Sequence, residues 1–305
     1  MQFETLIKLQ EHFANEQVCR DHLASLRWGV DGVPCCPFCG VVGSYQIEGG
    51  KRYKCKDKAC HKKFSVTVGT IFENTKLPLR VWFAAIYLAC NSSKGVSSLQ
   101  LHRNLGITQK TAWFLLSRIR EMLKDKAPAM LAGPVEVDET YVGGKEANKH
   151  KDKRTPGGKE KAAVLGIVAR GGRVIVHAVP NVQAATIRPI MRSHVAIGAT
   201  IYSDEAKVYS GLNKNGKYVH ETVNHSAKQY RNGNAHTNSV ENFWSLFKRG
   251  INGIYHQVSP KHLQRYCDEY AYRFNNRQVC QQEKFNIAVF QADGRRLTYK
   301  RLIGK

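Results

Sequence analysis

Long apolar runs are missing from this 305-residue sequence: the longest, Val81 to Cys90, spans ten residues, against the roughly 20 that a bilayer-spanning helix needs. No membrane span is expected. Acidic side chains are also scarce, 24 against 47 Lys and Arg, which leaves a formal charge of +23 and points to a polyanion as partner. Residues 1 to 30 lack the basic-then-apolar pattern of a secretory signal, because Glu4, Lys8, Glu11, Arg20 and Asp21 interrupt the apolar positions; a cytoplasmic location is expected. No internal repeat or low-complexity tract is present. Hydrophobic residues make up 42%, enough for one large core or two to three smaller ones, which excludes a disordered basic tail protein. The nine cysteines are odd in number and crowd between residues 35 and 60. Without an export signal, that argues for metal over disulfides.

The chain divides by pattern. Residues 1–31 carry apolar positions at helical spacing, and 32–72 lose that period and become rich in Cys, Gly and Lys. Residues 78–127 regain it, with Trp82, Ala85, Ile86 and Ala89 and then a second apolar stretch from Leu99 to Leu123. Pro128 and Pro134 mark a linker. Residues 134–280 open with β-type runs at Val135 to Val142, Ala163 to Ala169 and Val174 to Val179. A helical stretch from Ala184 to His194, runs at Thr200 to Tyr202 and Tyr218 to Thr222, and two long helical patterns follow. That order predicts a mixed α/β domain, a sheet flanked by helices. Residues 281–305 read as a C-terminal tail, and Lys145 to Lys161 as a basic loop between the first two strands.

Cys36-Pro-Phe-Cys39 and Cys55-Lys-Asp-Lys-Ala-Cys60 form two knuckles, with fifteen residues between Cys39 and Cys55. Four thiolates suit a closed, structural zinc site, and a segment this poor in apolar side chains needs the metal to fold. Cys35 and His61 stand close enough in sequence to substitute. Around the second knuckle, Lys51, Arg52, Lys54, Lys56, Lys58, Lys62 and Lys63 surround Tyr53 and Phe64, a surface suited to phosphates.

Val96 to Leu105, a turn at Gly106, and a helix from Thr108 to Leu123 have the length and turn chemistry of a helix-turn-helix. Thr108 is the expected cap, Ala112, Leu115, Leu116, Ile119 and Leu123 face inward, and Gln109, Lys110, Thr111 and Trp113 stand at the exposed start.

Asp138 lies within an apolar-flanked strand run and Asp204 ends another. Acids so placed are costly to bury without a cation. On the helix from Asn238, Val240, Phe243, Trp244, Phe247 and Ile251 pack inward, while Asn238, Glu241, Ser245 and Lys248 form the adjoining stripe. Asp138, Asp204 and Glu241 would together hold two hard cations, Mg2+ or Mn2+, for in-line attack on a phosphodiester. Glu139 and Glu205 should face away from them. His225 is a further candidate for positioning water.

These motifs, with Phe64 to Phe72 (FSVTVGTIF), Val137 to Gly144 (VDETYVGG), Tyr202 to Glu205 (YSDE), Val223 to Ser226 (VNHS) and His236 to Arg249 (HTNSVENFWSLFKR), resemble those of bacterial insertion-sequence transposases of the DDE type. In that family an N-terminal zinc ribbon precedes a ribonuclease H-like catalytic domain, and the resemblance covers roughly residues 15 to 280. The motifs keep the expected order, with 65 residues between the two aspartates and 36 between Asp204 and Glu241. The resemblance implies metal-dependent cleavage at element ends and strand transfer into target DNA by a homodimer on double-stranded DNA, in a nucleoid-associated bacterial protein. Its third ligand is described as either an acid or Asn. Charge and the seven-residue spacing to Lys248 favour Glu241, with Asn238 orienting a ligand or contacting phosphate. Two alternatives stand beside this one: a zinc-ribbon regulator whose ribonuclease H-like half is inactive, and a metal-dependent nuclease without strand joining.

Overall fold

Thr5 and Asn15 stand just ahead of two apolar-periodic stretches. Each side chain accepts a backbone N–H, from Lys8 at 3.3 Å and from Gln17 at 2.8 Å, so helices α1 (Leu6–His12) and α2 (Glu16–Trp28) begin there. The computed structural model describes residues 3–144, 161–213, 216–223 and 236–304. After α2 the helical period ends and three short strands, β1 (Ser44–Ile47), β2 (Arg52–Cys55) and β3 (Lys63–Phe64), form an antiparallel sheet in that order. The 13-residue α3 (Leu79–Asn91) buries nine of its side chains. Next comes the helical pair α4 (Ser98–Leu105) and α5 (Gln109–Leu123). Gly106, in the left-handed region at φ 64°, ends α4, and the Thr108 hydroxyl accepts the Thr111 N–H at 3.2 Å to start α5. All five apolar residues expected to face inward on α5 are buried.

The strand-rich half carries β4 (Pro134–Val142), β5 (Ala162–Ala169), β6 (Val174–Val179), α6 (Ala184–His194), β7 (Thr200–Asp204), β8 (Val219–Val223), α7 (Asn238–Gly250) and α8 (Pro260–Asn275). Its five strands pair in the order β6-β5-β4-β7-β8, with the first three antiparallel and β4, β7 and β8 parallel. This is the expected ribonuclease H-like mixed sheet. Strand alternation sorts its two faces. Val135, Val137, Leu165, Ile167 and Ile201 pack with Ile187 and Met191 of α6, whereas Val164, Val168, Val174 and Val176 pack with Val240, Phe243, Trp244 and Phe247 of α7 and Leu263, Cys267 and Tyr270 of α8.

Residues 281–305 are not a separate tail. Helices α9 (Gln281–Phe290) and α10 (Tyr299–Ile303) belong to the same compact unit as residues 1–124, and residues 125–277 form the other. The reason is aromatic packing: the Phe285 ring meets Phe3, Phe83 and Phe13 at centroid distances of 5.4, 5.2 and 5.9 Å. Nearly all of the expected basic loop, residues 145–160, and His225 lie outside the described residues. Among the described residues no helix is long and apolar enough to cross a membrane.

Candidate active site and metal-binding ribbon

Backbone turns shape both cysteine knuckles. Gly40 N–H donates to Cys36 O at 2.9 Å, and Cys60 and His61 N–H both donate to Asp57 O, at 3.1 and 2.9 Å. The four sulfurs of Cys36, Cys39, Cys55 and Cys60 lie within 4.8 Å of one another. Cys36 and Cys60 Sγ are 3.8 Å apart and Cys39 and Cys55 Sγ 3.5 Å apart, close to the edge of about 3.8 Å of a tetrahedron with Zn–S bonds of about 2.3 Å. The donor set fits structural Zn2+. Cys35 is not part of it: its Sγ lies 3.3 Å from Gly40 O, and exposed His61 stands outside the cluster as well. Two exposed aromatic rings on the ribbon carry lysines, Lys62 Nζ 4.8 Å from Phe38 and Lys56 Nζ 5.3 Å from Tyr45.

The carboxylates come from the centre of the second sheet. The β4–β7 pairing runs Pro134↔Thr200, Val135↔Ile201, Glu136↔Tyr202. Two residues further along both strands, Asp138 and Asp204 stand level on the face that α7 covers. Asp138 Oδ2 accepts the Trp244 Nε1–H at 3.0 Å, and Asp204 Oδ1 accepts the Ala206 N–H at 3.1 Å in a tight turn ending β7. Asn238, Glu241 and Lys248 are all exposed on α7. Burial pushes Asp138 up to about 6, and the neighbouring charges of Asp204 and Glu241 push the same way against hydrogen bonds from the Glu139 backbone and Trp244. Glu139 faces the α6 side, where it accepts the Tyr209 hydroxyl; burial, with Asp138 and Asp204 nearby, raises it to about 7. Glu205 is exposed.

Burial makes the Asp138 carboxylate costly until a cation arrives, and with Asp204 level beside it the oxygen donors suit a hard divalent ion. The third donor is not drawn in. Among the described residues the four cysteines are the one group of three or more such donors with ligand atoms within 4.8 Å of one another, and Glu241 Oε1 instead accepts the Thr237 hydroxyl at 2.8 Å.

Sequence reasoning missed what fixes α7 beside the aspartates. Glu136, fully buried, accepts the N–H groups of Ser239 (2.7 Å) and Val240 (3.0 Å), the Ser239 hydroxyl (3.1 Å) and Arg170 Nε (2.7 Å), with His236 Nδ1 3.2 Å away. The Arg170 guanidinium also donates to His236 O at 2.8 Å and lies 3.9 Å from the Tyr202 ring centroid. One carboxylate on β4 thus caps the start of α7. The second missed feature is Gly166, cross-strand from Asp138: a Cβ there would lie 2.6 Å from Trp244 Cζ2. Only glycine lets the indole lie against β5 with its N–H on Asp138. Two signals were available in the sequence, a Glu between Val135 and Val137 two residues before Asp138, and a lone Gly inside an apolar strand.

Residues 130–275 match the family model described as an ISXO2-like transposase domain, and residues 14–63 match a transposase zinc-ribbon domain. A protein in transposable element ISH50 of Halobacterium salinarum is 31% identical over 258 residues, covering 78% of this chain and 84% of that protein. A transposase-like protein of Haemophilus influenzae is 33% identical over 107 residues, 35% of this chain and 85% of its own length. A chain from a simian T-cell lymphotropic virus intasome, solved in complex with PP2A regulatory subunit B56 gamma, aligns with 62% of this chain and 70% of its own. Its identity of 11% and TM-score of 0.30 carry no argument.

Proposed function

Because this chain belongs to the ISXO2-like transposase family, with a zinc-ribbon domain at its N-terminal side, we propose that it cuts the ends of its DNA element and joins the freed 3′-hydroxyls to target DNA. The observation that carries this reading is the pair of aspartates level on adjacent parallel strands, with α7 clamped beside them. Asp138 and Asp204 are the residues that would hold Mg2+ or Mn2+, with Glu241 as third ligand once its carboxylate leaves Thr237. When bound there, such an ion would supply activation of the attacking oxygen and charge stabilisation of the leaving one. Asn238 orients that ligand or contacts the phosphate, and Lys248, two turns beyond Glu241, holds the DNA backbone. The ribbon and the α4–α5 pair dock on the element ends, and because both ends react together, the working form is a homodimer on duplex DNA.

The test is a Mn2+-dependent cleavage and joining assay on DNA carrying the element ends. Asp138→Asn and Asp204→Asn should abolish cleavage by at least about a hundredfold while leaving DNA binding intact, the size expected when a phosphoryl-transfer site loses its metal. Glu241→Ala should do the same and Asn238→Ala should reduce the rate less. Normal cleavage by Asp138→Asn would sink the assignment. Binding without metal-dependent cleavage by the unaltered protein would point to a regulator, and cleaved product never joined to supplied target DNA to a nuclease.

A further inference from the structure

Residues 294–305 read GRRLTYKRLIGK, five cations and no acid. This segment is anchored. Leu297 and Leu302 are buried, the Arg295 guanidinium donates to Lys124 O, and Gly294 N–H donates to Gly69 O at 2.9 Å. The Thr298 hydroxyl then caps α10 by accepting the Arg301 N–H at 3.2 Å. The first residue of α10 meets the start of α5: the Tyr299 ring lies 5.6 Å from the Phe114 ring and 6.5 Å from that of Trp113, and Lys110 Nζ stands 5.3 Å from its centroid. Trp113 is therefore half-buried against the C-terminal segment, not displayed on the open start of the helix. Gln109 and Lys110 remain exposed, and so do Lys300 and Arg301.

We propose that α10 completes a duplex-DNA-binding face with the start of α5, Tyr299 holding the two together and Lys300 and Arg301 contacting backbone phosphates beside the groove that Gln109 and Lys110 enter. The inference rests on the reading of α4–α5 as a DNA-docking pair. Its physical basis is charge. Arg295 is buried and Arg296, though exposed, is turned to Glu73 at 3.4 Å, whereas α10 carries Lys300 and Arg301 exposed beside the start of α5. Positioning contacts of this kind to phosphate flank the helix that reads the groove in helix-turn-helix proteins.

Binding of the full chain to a random-sequence duplex, followed by fluorescence anisotropy across a NaCl series, tests it. Every phosphate that the protein neutralises steepens the plot of log affinity against log salt by about 0.9, so Lys300→Ala/Arg301→Ala should make it shallower by about 1.8, with an unchanged thermal midpoint. Lys300→Gln/Arg301→Gln should do the same, which guards against a folding artefact. Tyr299→Ala should weaken binding and Tyr299→Phe should not. An unchanged slope in both double variants overturns the proposal, and tighter binding overturns it too, since the segment would then be covering the face. Gln109→Ala/Lys110→Ala separates the two readings. If that variant binds as the wild type does, the α4–α5 docking reading fails; if it weakens binding while the α10 variants do not, only the role of α10 fails.

Discussion

Asp138 is held by the Trp244 indole N–H and the Glu139 backbone N–H inside a half-buried, negatively charged corner, and that setting has a consequence for stability. Its carboxyl titrates at about 6 in the folded protein against 3.8 ordinarily, so above about pH 6 the metal-free native state carries a charge that the unfolded chain bears more easily. Asp138→Asn should therefore stabilise the metal-free protein at about pH 7, by up to about 3 kcal/mol at ~1.4 kcal/mol per pH unit. The gain should shrink as pH falls through about 6 and vanish below about 3.8. Thermal melts across pH check this, and parallel curves for the two proteins would count against it. Added Mn2+ should raise the wild-type melting point and leave the variant's unchanged. Trp244→Phe removes the donor and part of the ring that lies against Gly166. It should cost about 1–3 kcal/mol and weaken Mn2+ binding measured by electron paramagnetic resonance, whereas unchanged affinity would show that the indole only packs. Gly166→Ala pushes a methyl group to 2.6 Å from the same ring, so it should cost at least as much, about 1–3 kcal/mol of overpacking.

At the scale of elements, α7 owes its place to a carboxylate on another element. Glu136 links β4 to the first amides of α7 and to Arg170. Removing it takes the acceptor from two α7 amides and the carboxylate from the partly buried Arg170 guanidinium, so Glu136→Ala should cost about 3 kcal/mol, read by urea unfolding, and abolish cleavage. A cost under about 1 kcal/mol would mean the network is not a clamp. The ribbon depends on metal in a different way: across β1–β3 the buried apolar side chains are Tyr53 and Phe64, stacked on each other with Tyr53 edge-on to Trp28, beside the cysteines themselves. A chelator, or Cys60→Ser, should erase amide exchange protection across β1–β3 and leave that of β4 and β5 intact; protection of the ribbon in the presence of chelator would refute a structural zinc. These elements differ in how far the sequence disclosed them. Strands β4–β8, helix α5 with its Thr108 cap, and the inward face of α7 were legible because period and capping are local signals. Helix α9 was not, since its largest buried residue, Phe285, finds its ring partners some 200 or more positions upstream. Nor were the contacts of Glu136, Arg170 and Gly166, which become neighbours only once the sheet and α7 have packed.

The molecule as a whole is one unit inserted into another. Residues 125–277 form the strand-rich unit, and the chain then returns so that 278–305 complete the unit begun by residues 1–124. A boundary drawn from pattern alone, after residue 280, separates residues 281–305 from the chain segment they pack with, because local pattern does not show a partner so far upstream. Deleting residues 281–305 therefore removes Phe285, Ala288, Val289, Ala292, Leu297 and Leu302, all buried, and leaves Phe3, Phe13 and Phe83 facing a void. Loss of a single buried Phe costs about 3–5 kcal/mol, and the deletion removes several such side chains at once, against a total stability of about 5–15 kcal/mol for a typical domain. The first unit should lose its cooperative thermal transition while residues 125–277, whose two faces are filled by their own helices α6, α7 and α8, keep theirs. Calorimetry of the truncated chain, compared with the isolated 125–277 segment, should show the same single remaining transition. Two retained transitions in the truncated chain would mean that the C-terminal helices are accessory to a first unit that folds without them.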